Sequence, residues 1–237
     1  NSTNVGVASE NNNNLVSDSI NSFFSSKMGL TGYSVKDSGI LDVGVDDSSE
    51  NENLLEVQGE WTGCQSGPIL TPGIFTLTQD DTTTETCFLI STDDLWIDCQ
   101  GHTFTNDLGD SGVYVSNSRD NISVFNCTFI NFSSGVDIHG ASIGSNISYV
   151  NIYNSVYGIK LGSTSGGVTN SYFINNQIIN TTQEAIKFDS FETNTGNYFI
   201  NNYLQNFSKG FLIVSEDSAI NYFYNNQLIN GTIFGFQ

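Results

Sequence analysis

A chain of 237 residues with 25 Asp and Glu against 6 Lys and Arg has a formal net charge of −19, yet only 13% of its residues are charged. That length fits one large domain, or one domain with a small appendage. Arg119 is the single arginine, so a basic patch for phosphates is missing and nucleic acid is excluded as a partner; no apolar run approaches the roughly 18 residues of a membrane span.

The chain opens on "NSTNVGVASENNNN", polar and without Met, consistent with a leader already removed. In the following "LVSDSINSFFSSKMG", Val16, Ile20, Phe23, Phe24 and Met28 share one helical face, with Ser17 as N-cap and Gly29 as stop. A short amphipathic helix is expected there. "GILDVGV" and "NLLEVQGEW" read as strands on either side of the acidic loop "DDSSENEN". Residues 1–60 are therefore expected to form a tail, a helix and capping or assembly strands, ahead of a second unit at 61–237.

Beyond about residue 95 the chain repeats itself. "SYFINNQIIN" from Ser171 returns as "NYFINNYLQN" from Asn197 and "NYFYNNQLIN" from Asn221. Asn175-Asn176 recur as Asn201-Asn202 after 26 residues and as Asn225-Asn226 after 24. "VFNCTFIN" places Asn126-Cys127 in the same slots, and "YVNIYN" aligns through Asn151-Ile152. A period of 24 to 28 residues, filled with strands such as "ISVF", "GVDI", "GIKL", "AIKF" and "FLIV", marks a solenoid. The expected fold is all-β: a parallel β-helix with one coil per repeat. Stacked coils turn equivalent positions into columns. Asn126, Asn175, Asn176, Asn201, Asn202, Asn225 and Asn226 are expected to form amide ladders, because a buried amide needs partners. Phe173, Phe199 and Phe223 should stack, as should Tyr172, Tyr198 and Tyr222. Asp137, Lys160, Lys187 and Leu212 fall in outward slots, where Asp137 over Lys160 reads as a solvated surface pair of small worth.

Eight N-x-S/T triplets occur, at Asn1, Asn121, Asn126, Asn131, Asn146, Asn180, Asn206 and Asn230. Together with four cysteines they point to a secreted glycoprotein. Asn131, Asn180, Asn206 and Asn230 occupy equivalent slots, to be read either as a glycan-bearing outer edge or as an inward ladder. Cys64, Cys87, Cys99 and Cys127 lack zinc spacing, and two disulfides are expected. No metal and no cofactor is expected: the chain has two His and one Met, far apart.

"PGIFTLTQDDTTTETCFLISTDDLWIDCQGHTF", from Pro72 to Phe104, resembles the first coils of right-handed parallel β-helix proteins. The likeness is to NosD-like repeat proteins of the pectate-lyase superfamily, found on archaeal and bacterial cell surfaces. It rests on Pro72, Gly73, Phe75, Leu77, Cys87, Ile90, Leu95, Ile97, Asp98, Gly101 and His102, and extends over about residues 64–237. The resemblance implies a right-handed helix whose first coil is stapled by an early Cys pair, hence Cys64–Cys87 with Cys99–Cys127. The pairings 64–99 with 87–127, and 64–127 with 87–99, remain open. It leaves function open, because lyases, hydrolases, adhesins and structural proteins share the fold.

Pectinase-like hydrolases of this fold resemble one another in paired Asp residues, a Gly-His-Gly and an Arg-Ile-Lys. Here Asp93-Asp94 read as a turn, Asp137, His139 and Gly140 follow in "VDIHG", and Lys160 has no accompanying Arg. His102 and His139 read as corner packing. No residue is assigned a catalytic role. The expected function is that of an extracellular structural protein, a subunit of an archaeal surface filament or layer. Identical subunits would join head to tail, through the N-terminal segment with Phe23 and Phe24 and an open last coil, "GTIFGFQ", with Phe234 and Phe236. The alternatives are a stand-alone adhesin or carbohydrate-binding domain, and then a polysaccharide lyase or glycoside hydrolase.

Overall fold

The computed structural model describes residues 33–35, 41–43, 57–65, 67–163, 166–189, 194–213 and 220–236. The chain divides into two compact units, 1–53 and 54–237. In the first, Tyr33–Val35 and Leu41–Val43 pair antiparallel. The helix expected over 16–28, with Phe23 and Phe24, lies outside the described residues. Among the described residues of the second unit there are strands and turns and no helix.

The second unit is a parallel β-solenoid of about six turns. Each turn lays one strand on each of three faces. The first face is an 8-stranded sheet running from Val57–Trp61 and Gly73–Leu77 through Leu95–Asp98, Ile122–Phe125, Asn146–Ser148, Tyr172–Ile174 and Tyr198–Ile200 to Tyr222–Tyr224. The second face holds Asp81–Thr82, Thr103–Thr105, Thr128–Ile130, Asn151–Tyr153 and Gln177–Ile179. The third holds Pro68–Ile69, Phe88–Ile90, Ser111–Val115, Ser134–Ile138, Tyr157–Leu161 and Glu184–Phe188. Two long strands, Tyr203–Ile213 and Gln227–Phe236, run on around the corner and join the second and third faces into one 13-stranded sheet.

Alternation within each strand sends Val, Ile and Phe inward. Phe173, Phe199 and Phe223 stack at centroid distances of 4.8 and 4.9 Å. Tyr172, Tyr198 and Tyr222 stack on the outside of the same strands at 5.0 and 4.5 Å. The strands are short because the corners demand left-handed backbone, which Asn tolerates best after Gly. Asn126, Tyr149, Asn175, Asn201 and Asn225 take φ of 58°, 55°, 53°, 54° and 51° at the first corner. Asn131, Asn154, Asn180, Asn206 and Asn230 take 61°, 54°, 61°, 55° and 56° at the second. Just past that corner, Gly112, Gly135, Gly158, Ala185 and Gly210 form a column of small residues along the third face. A Cβ on Gly158 would stand 2.2 Å from the Ala185 carbonyl oxygen and 2.6 Å from Cγ2 of Ile178, so this edge closes only around minimal side chains.

The disulfides are Cys64–Cys87 and Cys99–Cys127, and no cysteine is free. Each ties one coil to the next. Both alternative pairings are excluded.

The amide ladder is carried by the second Asn of each pair. The backbone N–H of Val150 donates to Oδ1 of Asn176 (3.0 Å), that of Asn176 to Asn202 (3.0 Å), and that of Asn202 to Asn226 (2.9 Å). The side-chain Nδ2 atoms of Asn176, Asn202 and Asn226 donate to the carbonyls of Ile147, Phe173 and Phe199 at 2.9, 2.9 and 2.8 Å. Asn176 and Asn202 are fully buried. Asn126, Asn175, Asn201 and Asn225 are instead the left-handed corner residues beside the stack, half-buried or exposed. The alignment through Asn151-Ile152 is corrected as well. Asn151 pairs with Gln177, so Tyr149-Val150 fill the Asn175-Asn176 slots. From that point the inner column continues as Val150 and Cys127, an apolar side chain and then a covalent bond in place of hydrogen bonds. A second buried ladder runs beside it: Ser145 N–H donates to Oγ of Ser171, Ser171 N–H to Oδ1 of Asn197, and Asn197 N–H to Oδ1 of Asn221.

Replacing Asn202 by Leu strands the N–H of Asn176 and one N–H of its side-chain amide, and takes the side-chain donor from the Phe173 carbonyl. Each orphaned buried group costs about 1–3 kcal/mol, so Asn202→Leu is expected to destabilise by roughly 4 kcal/mol. Asn201→Ala loses only a favoured left-handed residue, at about 1 kcal/mol. Urea-denaturation midpoints of the two variants test the difference.

Candidate functional site

The densest chemistry lies on the outside of the third face. Register sets Tyr114, Asp137, Lys160, Lys187 and Leu212 in one column. Lys160 Nζ donates to Oδ2 of Asp137 at 2.9 Å, and Asp137 is only 5% exposed. Its other oxygen, Oδ1, is buried without a hydrogen-bond partner. The expectation of a solvated pair is thereby corrected: the carboxylate sits between the Tyr114 and Lys160 rungs, out of water. Lys187 stacks directly on Lys160, an arrangement that repels unless a counter-charge intervenes. Asp189 supplies it, 3.0 Å from Lys187 and 3.9 Å from Lys160. The Tyr157 ring lies 5.6 and 5.3 Å from the two ammonium groups, within cation–π range. Burial pulls the Lys160 ammonium towards neutrality, but the Asp137 charge and hydrogen bond, with help from Asp189, hold its pKa above the usual lysine value. The His139 ring stacks on Tyr114 at 5.6 Å. Burial and the Asp137 charge raise the Tyr114 phenol, against the pull of Lys160. A second pair, Lys209 with the buried Glu184 at 3.0 Å, continues the face.

The other acids and histidines do not join this cluster in a catalytic arrangement. Asp94 is a left-handed corner residue (φ 54°) whose Oδ1 accepts from Nδ2 of Asn121 at 2.8 Å, and Asp93 accepts the Asp120 N–H at 3.1 Å. This is the turn chemistry expected of them. Nδ1 of His102 lies 3.0 Å from Asp80, whose carboxyl the Thr103 N–H and His102 hold below its usual pKa. The Nε of Arg119 is buried without a partner, while its carbonyl accepts from the Ser142 hydroxyl. Among the described residues, no group of three or more His, Cys, Asp and Glu is placed to hold a metal.

Asp98, read from the sequence as a turn residue like Asp93 and Asp94, accepts the Gln100 N–H at 2.8 Å at the end of its strand. It is 6% exposed, and burial pushes its pKa up to about 6 against the opposing hydrogen bonds of the Gln100 N–H and the Asn126 side chain.

The sequons separate by exposure. Asn180, Asn206 and Asn230 are exposed; Asn121, Asn126 and Asn131 are half-buried; Asn146 is 6% exposed; Asn1 lies outside the described residues. The exposed corner is also a ladder. Nδ2 of Asn230 donates to Oδ1 of Asn206 (3.2 Å), Asn206 to Asn180 (2.8 Å), and Asn180 to Asn154 (3.0 Å). Asn154 belongs to this column but is followed by Ser155-Val156, so a sequon search passes over it.

Along the axis, Tyr222–Tyr224 and Gln227–Phe236 pair on one side only among the described residues. Phe234 and Phe236 lie in that strand, and their side chains are outside the described set.

Comparison with protein-family models, with curated proteins and with solved structures gives no match.

A folded-state pKa near 6 for an acid whose ordinary value is 3.8 means that ionising Asp98 costs the native state more than the unfolded chain. The penalty is absent below about pH 4, grows between pH 4 and 6, and is complete above 6. Asp98→Asn keeps the acceptor for Gln100 without the charge. It is expected to be more stable than the parent by about 3 kcal/mol at pH 7.5 and equal to it at pH 4, read from denaturation curves at both values. Removing Lys160 leaves Asp137 buried and unpaired. Lys160→Met is expected to cost about 3–4 kcal/mol, and the double variant Asp137→Asn/Lys160→Met to recover most of it, measured as a double-mutant cycle.

Proposed function

We propose that this chain is an extracellular structural protein whose solenoid assembles head to tail with identical subunits into a surface filament or layer. The observation that carries the reading is the polarity of the stacked coils. Each coil presents backbone donors to side-chain acceptors of the next, and among the described residues the strands Tyr222–Tyr224 and Gln227–Phe236 pair on one side only. A neighbour supplying strands and acceptors of the kind seen at each rung continues the pattern, and one polar contact repeated generates an open polymer. The segment proposed to dock there is the N-terminal stretch with Phe23 and Phe24. Two disulfides favour an oxidising compartment, and a surface whose polarity rests on Asn, Ser and Thr suits exposure outside the cell. No described helix is long and apolar enough to cross a membrane. The right-handed twist, the NosD-like placement in the pectate-lyase superfamily and the archaeal surface belong to the same proposal.

A second reading, a carbohydrate-binding surface, draws on the half-buried Tyr114 and His139 rings that stack on this face beside Lys160. The outward tyrosines argue less for it. Their ring faces are taken up by one another, which leaves edges rather than platforms for a sugar to stack on.

Electron microscopy of the native full-length protein is expected to show uniform fibres with an axial repeat of at least roughly 30 Å, six strand spacings. Deleting "NSTNVGVASENNNN" is expected to abolish them. Monodisperse monomers at every concentration would sink the assembly and shift the weight to saccharide binding.

A further inference from the structure

We infer that the exposed corner ladder is an N-glycosylation track whose occupancy is limited by its own spacing: Asn131 carries a glycan, and along Asn180, Asn206 and Asn230 no two adjacent coils carry one on the same molecule. The inference rests on the extracellular reading above.

The corner is chemically prepared for it. Asn180, Asn206 and Asn230 are exposed, each in left-handed backbone that turns the side chain out of the strand, and each stands two residues before a Ser or Thr. A head-to-tail amide chain uses the N–H that lies opposite Cγ=Oδ1, as the run from Asn230 to Asn154 does. Transfer from a lipid-linked oligosaccharide forms one bond between Nδ2 and the anomeric carbon. It removes one proton from Nδ2 and releases the lipid pyrophosphate. The trans amide that results keeps the hydrogen opposite Oδ1, so a glycan and the ladder coexist on one residue.

The remaining described sequons differ. Asn146 is buried in a first-face strand, and its Oδ1 is enclosed. Asn121 commits Nδ2 to Asp94, and the Asn126 side chain is hydrogen-bonded to the buried Asp98. A sugar on the buried Asn146 is incompatible with the folded coil, whenever transfer occurs.

Spacing then sets the pattern. Residues in adjacent coils stand about 4.8 Å apart. A branched oligosaccharide is wider than that, so a glycan on Asn206 excludes both neighbours, while Asn180 and Asn230 can be filled together. Asn131, half-buried in left-handed backbone at the same corner, is next to Asn154, which is not a sequon, and so has no competitor.

The test is intact mass and glycopeptide mapping of the full-length secreted protein and of Ser208→Ala, which removes the Asn206 sequon and leaves the ladder. The parent is expected to carry a glycan on Asn131 and either Asn206 or the Asn180–Asn230 pair. In Ser208→Ala, occupancy of Asn180 and Asn230 is expected to rise towards completion. Glycans on Asn180 and Asn206 of one molecule, a glycan on Asn146, or unchanged occupancy in Ser208→Ala would overturn the inference. So would a sugar-free corner in protein whose four cysteines are all oxidised, and there the extracellular reading survives. Reduced cysteines with no sugar anywhere overturn both.

Discussion

Parallel, in-register pairing forces each side chain to stack on its counterpart one strand spacing away, about 4.8 Å. Few side chains tolerate their own kind at that distance. Aromatic rings do, face to face, and the Phe and Tyr columns use this. Carboxamides do best, because each has a donor and an acceptor that align along the axis. Charges do worst. That constraint accounts for a chain rich in Asn and poor in charge, and for the care taken where charges do stack: Asp137 precedes Lys160, and Asp189 bridges Lys160 and Lys187.

The same constraint explains why the coils change character along the axis. From Asn176 onward the first corner is lined by amides that satisfy one another and the backbone. Towards the other end the column passes through Val150 to the Cys99–Cys127 bond, while Cys64–Cys87 ties the first coils at the start of the third face, where Cys87 lies beside Gly112. Hydrogen-bonded cohesion gives way to covalent cohesion where the repeats are least alike. The small residues from Gly112 to Gly210 belong to neither scheme; they set how closely the second and third faces approach.

Much of this was legible in the sequence because equivalent residues recur at a nearly constant interval. The Phe and Tyr stacks, the placement of Lys160 over Asp137 and the solenoid itself follow from aligning three phrases. Alignment failed at "YVNIYN", where both Asn151-Ile152 and Tyr149-Val150 satisfy the polar–apolar alternation and only strand register decides. The Ser145–Ser171–Asn197–Asn221 ladder is not legible in the sequence because it changes residue type midway. The depth of Asp137 and Asp98 was not readable either: periodicity gives the direction of a side chain, not what neighbouring coils lay over it. For the exposed corner the sequon pattern marked Asn180, Asn206 and Asn230 but could not reveal that they hydrogen-bond to one another through Asn154.

The two disulfides also give the rod a mechanical asymmetry. Tension on the 220–236 end loads one coil's hydrogen bonds at a time, as in opening a zipper, and each step frees about 25 residues, roughly 85 Å of chain. Past Cys127 the two disulfides take their loops, 28 and 23 residues in sequence separation, out of the extensible path with bonds that force of this order does not break. The solenoid is thus a spring of long reach on one side and shortened reach on the other, with the boundary set at the Cys99–Cys127 bond.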